Sequence, residues 1–205
     1  MAWQPDYCTD AELKAFLRIS DADDDNELGY AITAASRAID VDANRQFGVV
    51  AAAEQRFYTA RWDRRRCRWI VEFDDLMSTT DFAAITQDAE GNTVGTIDDY
   101  VLEPVNAAAK SRPWTSLMVR PNSAVRPTGL EHEVAVTALW GWSTVPVPVK
   151  QAALLQASRL FARRNSPYGI AGSPDVGSEL RLLARVDPDV AVSLNGYRRW
   201  WGGAR

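Results

Sequence analysis

The stretch EVAVTALWGWSTVPVPVKQAALLQASRLFARRNSP, residues 133–167, changes its hydrophobic period in the middle. Glu133 to Trp140 alternates as a strand does. Pro146 and Pro148 then stop the strand and open a helix, since proline in a first turn has no intrahelical N–H to lose. From there Val149, Ala152, Ala153, Leu155, Ala157, Leu160 and Phe161 form a broad apolar helical face. Arg159, Arg163 and Arg164 lie at polar positions, where they suit the negative end of a helix. Asn165-Ser166-Pro167 is expected to end it. A strand running into a long helix requires a mixed fold, and the flanking sequence sets its plan.

Upstream, period-two patterns dominate. Arg56–Trp62 and Cys67–Phe73 read as strands, with Trp69, Val71 and Phe73 on one face and Arg68, Ile70 and Glu72 on the other. Asp63-Arg64-Arg65-Arg66 forms the loop between them. Further strands are expected at 83–87, 93–97, 100–103 and 117–120, with a turn at Glu90-Gly91-Asn92. Earlier still, Thr9-Asp10-Ala11-Glu12 reads as a capping box for a short helix to about Ile19. The acidic turn Ser20–Asp25 precedes a longer helix with Leu28, Ile32, Ala35 and Ile39 at three- and four-residue spacing, ending near 44–48. Downstream, glycine and serine predict a loop over 167–178. Asp187-Pro188-Asp189 caps a last short helix to Leu194, before the basic-aromatic tail Tyr197–Arg205.

The expected fold class is therefore α+β: a helical bundle of two N-terminal helices and one long C-terminal helix, with a central β-rich insertion and an extended C-terminal tail. The expected segments are 1–49 (N-terminal helices), 50–143 (β-rich insertion), 144–166 (long helix) and 167–205 (loop and tail). No internal repeat is present.

Composition narrows the function. Of 205 residues, 46% are hydrophobic and 24% charged, enough to build a core without staples. No run approaches the about 18 apolar residues of a membrane span. The N-terminal MAWQPDYCTD lacks the basic start and apolar stretch of a secretory signal, so maturation in a cytoplasm is expected. Cys8 and Cys67 are expected to be free thiols there. With His132 as the lone histidine, a structural zinc site is not expected. A net charge of −4 argues against a bulk electrostatic grip on nucleic acid. Eight tryptophans favour a protein that assembles with others.

A search for catalytic chemistry fails. His132 has no G-x-S-x-G elbow to present a serine beside it. Asp21, Asp23, Asp24 and Asp25 resemble the opening of a calcium loop, but Asn26 and Ile32 stand where glycine and glutamate are required. Gly169-Ile170-Ala171-Gly172 lacks the lysine and the frame of a phosphate-binding loop. No catalytic residue, metal or cofactor is assigned.

Two interaction candidates remain. Arg61, Arg64, Arg65, Arg66 and Arg68 lie between Trp62 and Trp69, a composition that can track nucleic acid by phosphate pairing and stacking. A solvated hairpin tip is the plainer reading. In the tail, Trp200 and Trp201 follow Tyr197, Arg198 and Arg199, and an exposed aromatic pair marks a contact surface.

Three strings resemble the head-to-tail connector (adaptor) family of tailed bacteriophages. They are TDAELKAFLRI with AITAASRAIDVDANRQFG, then EVAVTALWGWSTVPVPVKQAALLQASRLFARRNSPYGIAG, and finally DPDVAVSLNGYRRW. They lie at both ends of the chain, and the β region between matches only in kind. The resemblance implies a non-enzymatic virion protein of the neck, present in host cytoplasm during assembly. It implies an oligomeric, commonly dodecameric, ring beneath the portal that extends the DNA channel and joins capsid to tail. The implied partners are the portal protein, neighbouring copies, a downstream neck or tail protein, and genomic DNA passing without specific binding. No membrane is involved. Tyr197, Arg198, Arg199, Trp200 and Trp201 are the expected portal contact. The alternative is a small nucleic-acid-binding accessory protein using the arginine-rich hairpin 61–69.

Overall fold

The computed structural model describes residues 4–164, 170–171, 180–181 and 188–199. They form four α-helices and two four-stranded antiparallel sheets, in two compact units. One unit is Met1–Phe47 with Val145–Arg205; the other is Gly48–Thr144.

In the helical unit, α1 (Asp10–Leu17) begins at the capping box. Thr9 Oγ1 accepts from the Glu12 N–H at 3.3 Å, and Glu12 Oε2 accepts from the Thr9 N–H at 3.0 Å. Arg18 takes a left-handed conformation and ends the helix two residues before the expected Ile19. Helix α2 (Asp25–Ala43) buries Leu28, Ala31, Ile32, Ala35, Ile39 and Ala43, and ends at left-handed Asn44. Helix α3 (Val147–Arg163) opens with proline and buries Val149, Ala152, Ala153 and Ala157. Helices α2 and α3 pack on each other, and their alanines permit close approach. Helix α4 (Pro188–Leu194) buries Val190 and Leu194 and packs on α3 and α2.

The sheet unit begins with β1 (Glu54–Tyr58), β2 (Ala60–Asp63) and β3 (Arg68–Leu76). There follow β4 (Ala83–Gln87), β5 (Thr93–Thr96), β6 (Tyr100–Glu103), β7 (Trp114–Val119) and β8 (Val134–Ala138). One sheet has the order β1-β8-β4-β5 and the other β2-β3-β7-β6. The expected single strand over 56–62 is two strands, one in each sheet, divided at Thr59. Phe57 pairs with Ala135, whereas Trp62 pairs with Trp69. Val71, Phe73, Leu117, Val134, Val136 and Trp140 are buried. Each such side chain contributes ~1.5–3 kcal/mol relative to exposure.

The Gly-Trp pair within the long string has a structural task. Gly141 holds φ at +110°, and a Cβ there would stand 1.9 Å from the Gly48 carbonyl oxygen. That carbonyl accepts from the Trp142 N–H at 2.7 Å, while the Val50 N–H donates to the Trp140 carbonyl at 3.0 Å. The buried Trp142 indole N–H donates to Asp75 Oδ2 at 2.8 Å.

These observations correct the expected fold class. The strands are not an insertion hung on a three-helix bundle, because the two sheets bury a core of their own and form a unit of comparable weight to the helices. The short helix expected to end at Leu194 is found as α4, with Val190 and Leu194 buried, and the tail after it begins with a 3-10 turn, Asn195–Tyr197, instead of running extended from there. Of the expected loop 167–178, only Ile170–Ala171 (β9) is described, and it pairs antiparallel with Leu180–Arg181 (β10).

Candidate functional site

The described part of the tail is anchored at the C-terminal end of α2. That end carries no basic residue in its own last turn, although it is the negative pole of the helix dipole. Arg198 supplies the cation: its guanidinium donates to Asp42 Oδ1 at 2.7 Å and to Oδ2 at 2.9 and 3.3 Å. The Arg199 N–H donates to the Ala43 carbonyl at 2.8 Å, and Asn44 Nδ2 donates to the Arg199 carbonyl at 3.2 Å. One orphan carbonyl of the helix end, that of Ala43, is satisfied in this way.

Tyr197 meets Phe47 edge-on at 6.1 Å, and Tyr7 meets the same ring edge-on at 5.7 Å. The N-terminal segment therefore reaches the same place. Tyr7, 1% exposed, donates its hydroxyl to Asp40 and accepts from the Phe47 N–H at 2.9 Å. Its own N–H donates to Ser36 Oγ at 3.1 Å, and Arg37 donates to the Pro5 carbonyl. Burial pushes the Asp40 carboxyl above its ordinary range and raises the Tyr7 phenol further. Tyr197, Arg198 and Arg199 are thus brought together on the chain's own helices. Trp200 and Trp201 lie outside the described residues. Sequence reading missed the receiving side, namely Tyr7, Asp40, Asp42 and Phe47. The available signal was charge complementarity between Asp42 and Arg198, which no local spacing reveals.

The arginine hairpin joins β2 to β3. Asp63 accepts from the Arg65 and Arg66 N–H groups at 2.8 and 3.1 Å, which fixes the turn and holds its carboxyl below the ordinary value. Arg61 pairs with Glu72 at 2.8 Å and Arg66 with Glu103 at 2.7 Å. Arg68 donates to the Met118 sulfur at 3.9 Å, a weak acceptor. Arg64 and Arg65 are exposed and have no carboxylate partner among the described residues. Trp62 is 45% exposed and stacks edge-on against Trp69 at 5.3 Å. Arg66, Arg68, Glu103 and Met118 line an open groove of about 300 Å³.

His132 stands at φ +58°, with its backbone N–H bonded to Thr59 Oγ1 at 3.0 Å. Among the described residues no group of three histidine, cysteine or acidic side chains is placed to hold a metal. No helix among them is long and apolar enough to cross a membrane.

No protein-family model matches the sequence, and no curated protein matches it. Solved structures do. A chain from the neck of an empty gene transfer agent (GTA) particle, computed with C6 symmetry, matches at a TM-score of 0.52. The identity is 18%, over 99% of this chain and 96% of that one. A chain from the virion of the native GTA particle matches at 0.53 with 22% identity, over 96% and 93% of the two chains. At these identities the likeness concerns the fold, which this chain shares over nearly its whole length with these GTA chains. Those neighbours are neck and virion chains, the kind of protein that the three strings at the chain ends resemble.

Proposed function

We propose that the chain is a structural subunit of a virion neck and not an enzyme. The observation that carries this reading is a shared fold over 99% of this chain and 96% of a GTA neck chain. In the finer form of the proposal, copies form a ring, dodecameric in the phage connectors it resembles, beneath the portal. The ring joins capsid to tail, extends the DNA channel and docks the next neck or tail protein. A ring of this kind uses two different faces per subunit. Tyr197, Arg198 and Arg199, with Trp200 and Trp201, are the proposed portal contact. The protein would pass through host cytoplasm before entering the virion.

The test is capture by purified portal rings of the full chain and of a chain truncated after Leu194. Capture that is lost on truncation supports the connector role and assigns the portal contact to the tail. If neither form is captured and the full chain instead binds duplex DNA at low salt, the role passes to the nucleic-acid reading. That alternative is weakened by Arg61 and Arg66, whose charge is already met by Glu72 and Glu103.

A further inference from the structure

We infer that the hairpin tip Asp63–Arg68 seats an acidic loop of a second copy of this chain, Ser20–Asp24. The inference rests on the ring reading above. Its starting point is an imbalance at the tip. Five arginines (61, 64, 65, 66 and 68) face three carboxylates, those of Asp63, Glu72 and Glu103. The pairings leave Arg64 and Arg65 in solvent, and Arg68 with a thioether as its polar partner. The tip is also held in shape, because Asp63 binds two of its backbone N–H groups. A cationic surface fixed in advance loses little entropy on binding. The groove beside it, with Arg68 on its wall and the Met118 sulfur in its lining, has room for a carboxylate side chain.

The occupant follows from charge. The chain is acidic, at −4, and its densest acidic stretch is Asp21 to Asp25. Two of those carboxylates are engaged: Asp24 takes the Arg164 guanidinium at 2.5 and 2.6 Å, and Asp25 pairs with Lys14. These pairs hold the loop to the ends of α3 and α1. Asp21 and Asp23 are exposed and have no cationic partner among the described residues. One chain thus carries an anchored cationic tip and an anchored acidic loop, both with unmet charge. A contact between two different patches repeats from copy to copy and closes a ring when the rotation permits. A DNA strand would need more phosphate partners than three unmet arginines supply.

The experiment is sedimentation velocity of the full chain at low and high salt, with Arg64→Glu/Arg65→Glu and Asp21→Lys/Asp23→Lys variants. All four positions are exposed, and circular dichroism checks that each variant is folded. Wild type should associate at low salt and dissociate at high salt. Each variant alone should lose association, and an equimolar mixture of the two should regain it. A wild type that stays monomeric at low salt overturns the inference, as do variants that associate normally. Loss in both variants without recovery in the mixture also overturns it, and added duplex DNA that sediments with wild type alone would name the true occupant. Portal capture that survives the charge reversals leaves the neck reading standing without this contact. Salt-dependent association without portal capture does the reverse.

Discussion

The Arg198 guanidinium forks the Asp42 carboxylate across a sequence separation of 156 residues. Both side chains are partly buried, so the pair is screened less than a surface bridge. Asp42→Asn should cost about 1 kcal/mol or less globally. The larger effect is local: amide exchange across 190–199 should accelerate while α2 upstream of Asp40 stays protected. Unchanged exchange at Leu194 to Arg199 would mean that the segment is held by something else.

Gly141→Ala places a methyl group against the Gly48 carbonyl at 1.9 Å and forces a side chain into positive φ. Backbone lies on the other side of the clash, so no rotamer change relieves it. A loss of about 3 kcal/mol or more is expected. Urea denaturation followed by tryptophan fluorescence measures it; a midpoint close to wild type would refute the close approach.

Tyr7→Phe removes the hydroxyl that donates to Asp40 and accepts from the Phe47 N–H, while leaving the ring against Phe47. Two buried polar groups lose a partner, at about 1–3 kcal/mol. Thermal denaturation of Tyr7→Phe, Asp40→Asn and the double variant gives the coupling. Additive losses would show that the hydroxyl and the carboxyl act independently.

Burial pushes the Cys8 thiol up to about 11 from an ordinary 9.0, so the native state holds it protonated. The sign is fixed by that direction. The contribution is fully present below 9.0 and is lost as pH rises toward about 11, because only the unfolded chain releases the proton easily. Wild type should therefore lose stability through this window more steeply than Cys8→Ala. Parallel alkaline denaturation curves would exclude Cys8 as the source. Cys67, exposed at the hairpin tip, should react with thiol reagents well before Cys8 does.

What could be read in advance was local. The Thr9–Glu12 capping box, the Leu28–Ile39 stripe and the proline-opened helix at 147 are set by residues three or four apart, and each is found. The division of 54–63 between two sheets was not legible. Whether Phe57 pairs with Ala135 and Trp62 with Trp69 depends on partners from 7 to 78 residues away, and alternation is the same in either sheet. The seat of the tail was not legible for a related reason. Tyr197-Arg198-Arg199 reads as a contact segment, but its receiving groups, Phe47, Asp42 and Ala43, lie in a distant part of the sequence. The arginine hairpin was legible in composition, but the pairing of Arg61 with Glu72 and of Arg66 with Glu103 was not.

Phe47 meets both Tyr7 and Tyr197, so the segments around residues 7 and 197 are tied to one ring and to the last turn of one helix. This sets a mechanical path. A pull on residue 199 loads Ala43 and Asp42 directly, and bypasses the peptide that leads back through 188 to α3. Tension at the C-terminal side is therefore delivered to α2 and, through Phe47 and Tyr7, to the strap at the N-terminal side. Residues 5–7 and 197–199 should therefore yield together with α2 under load.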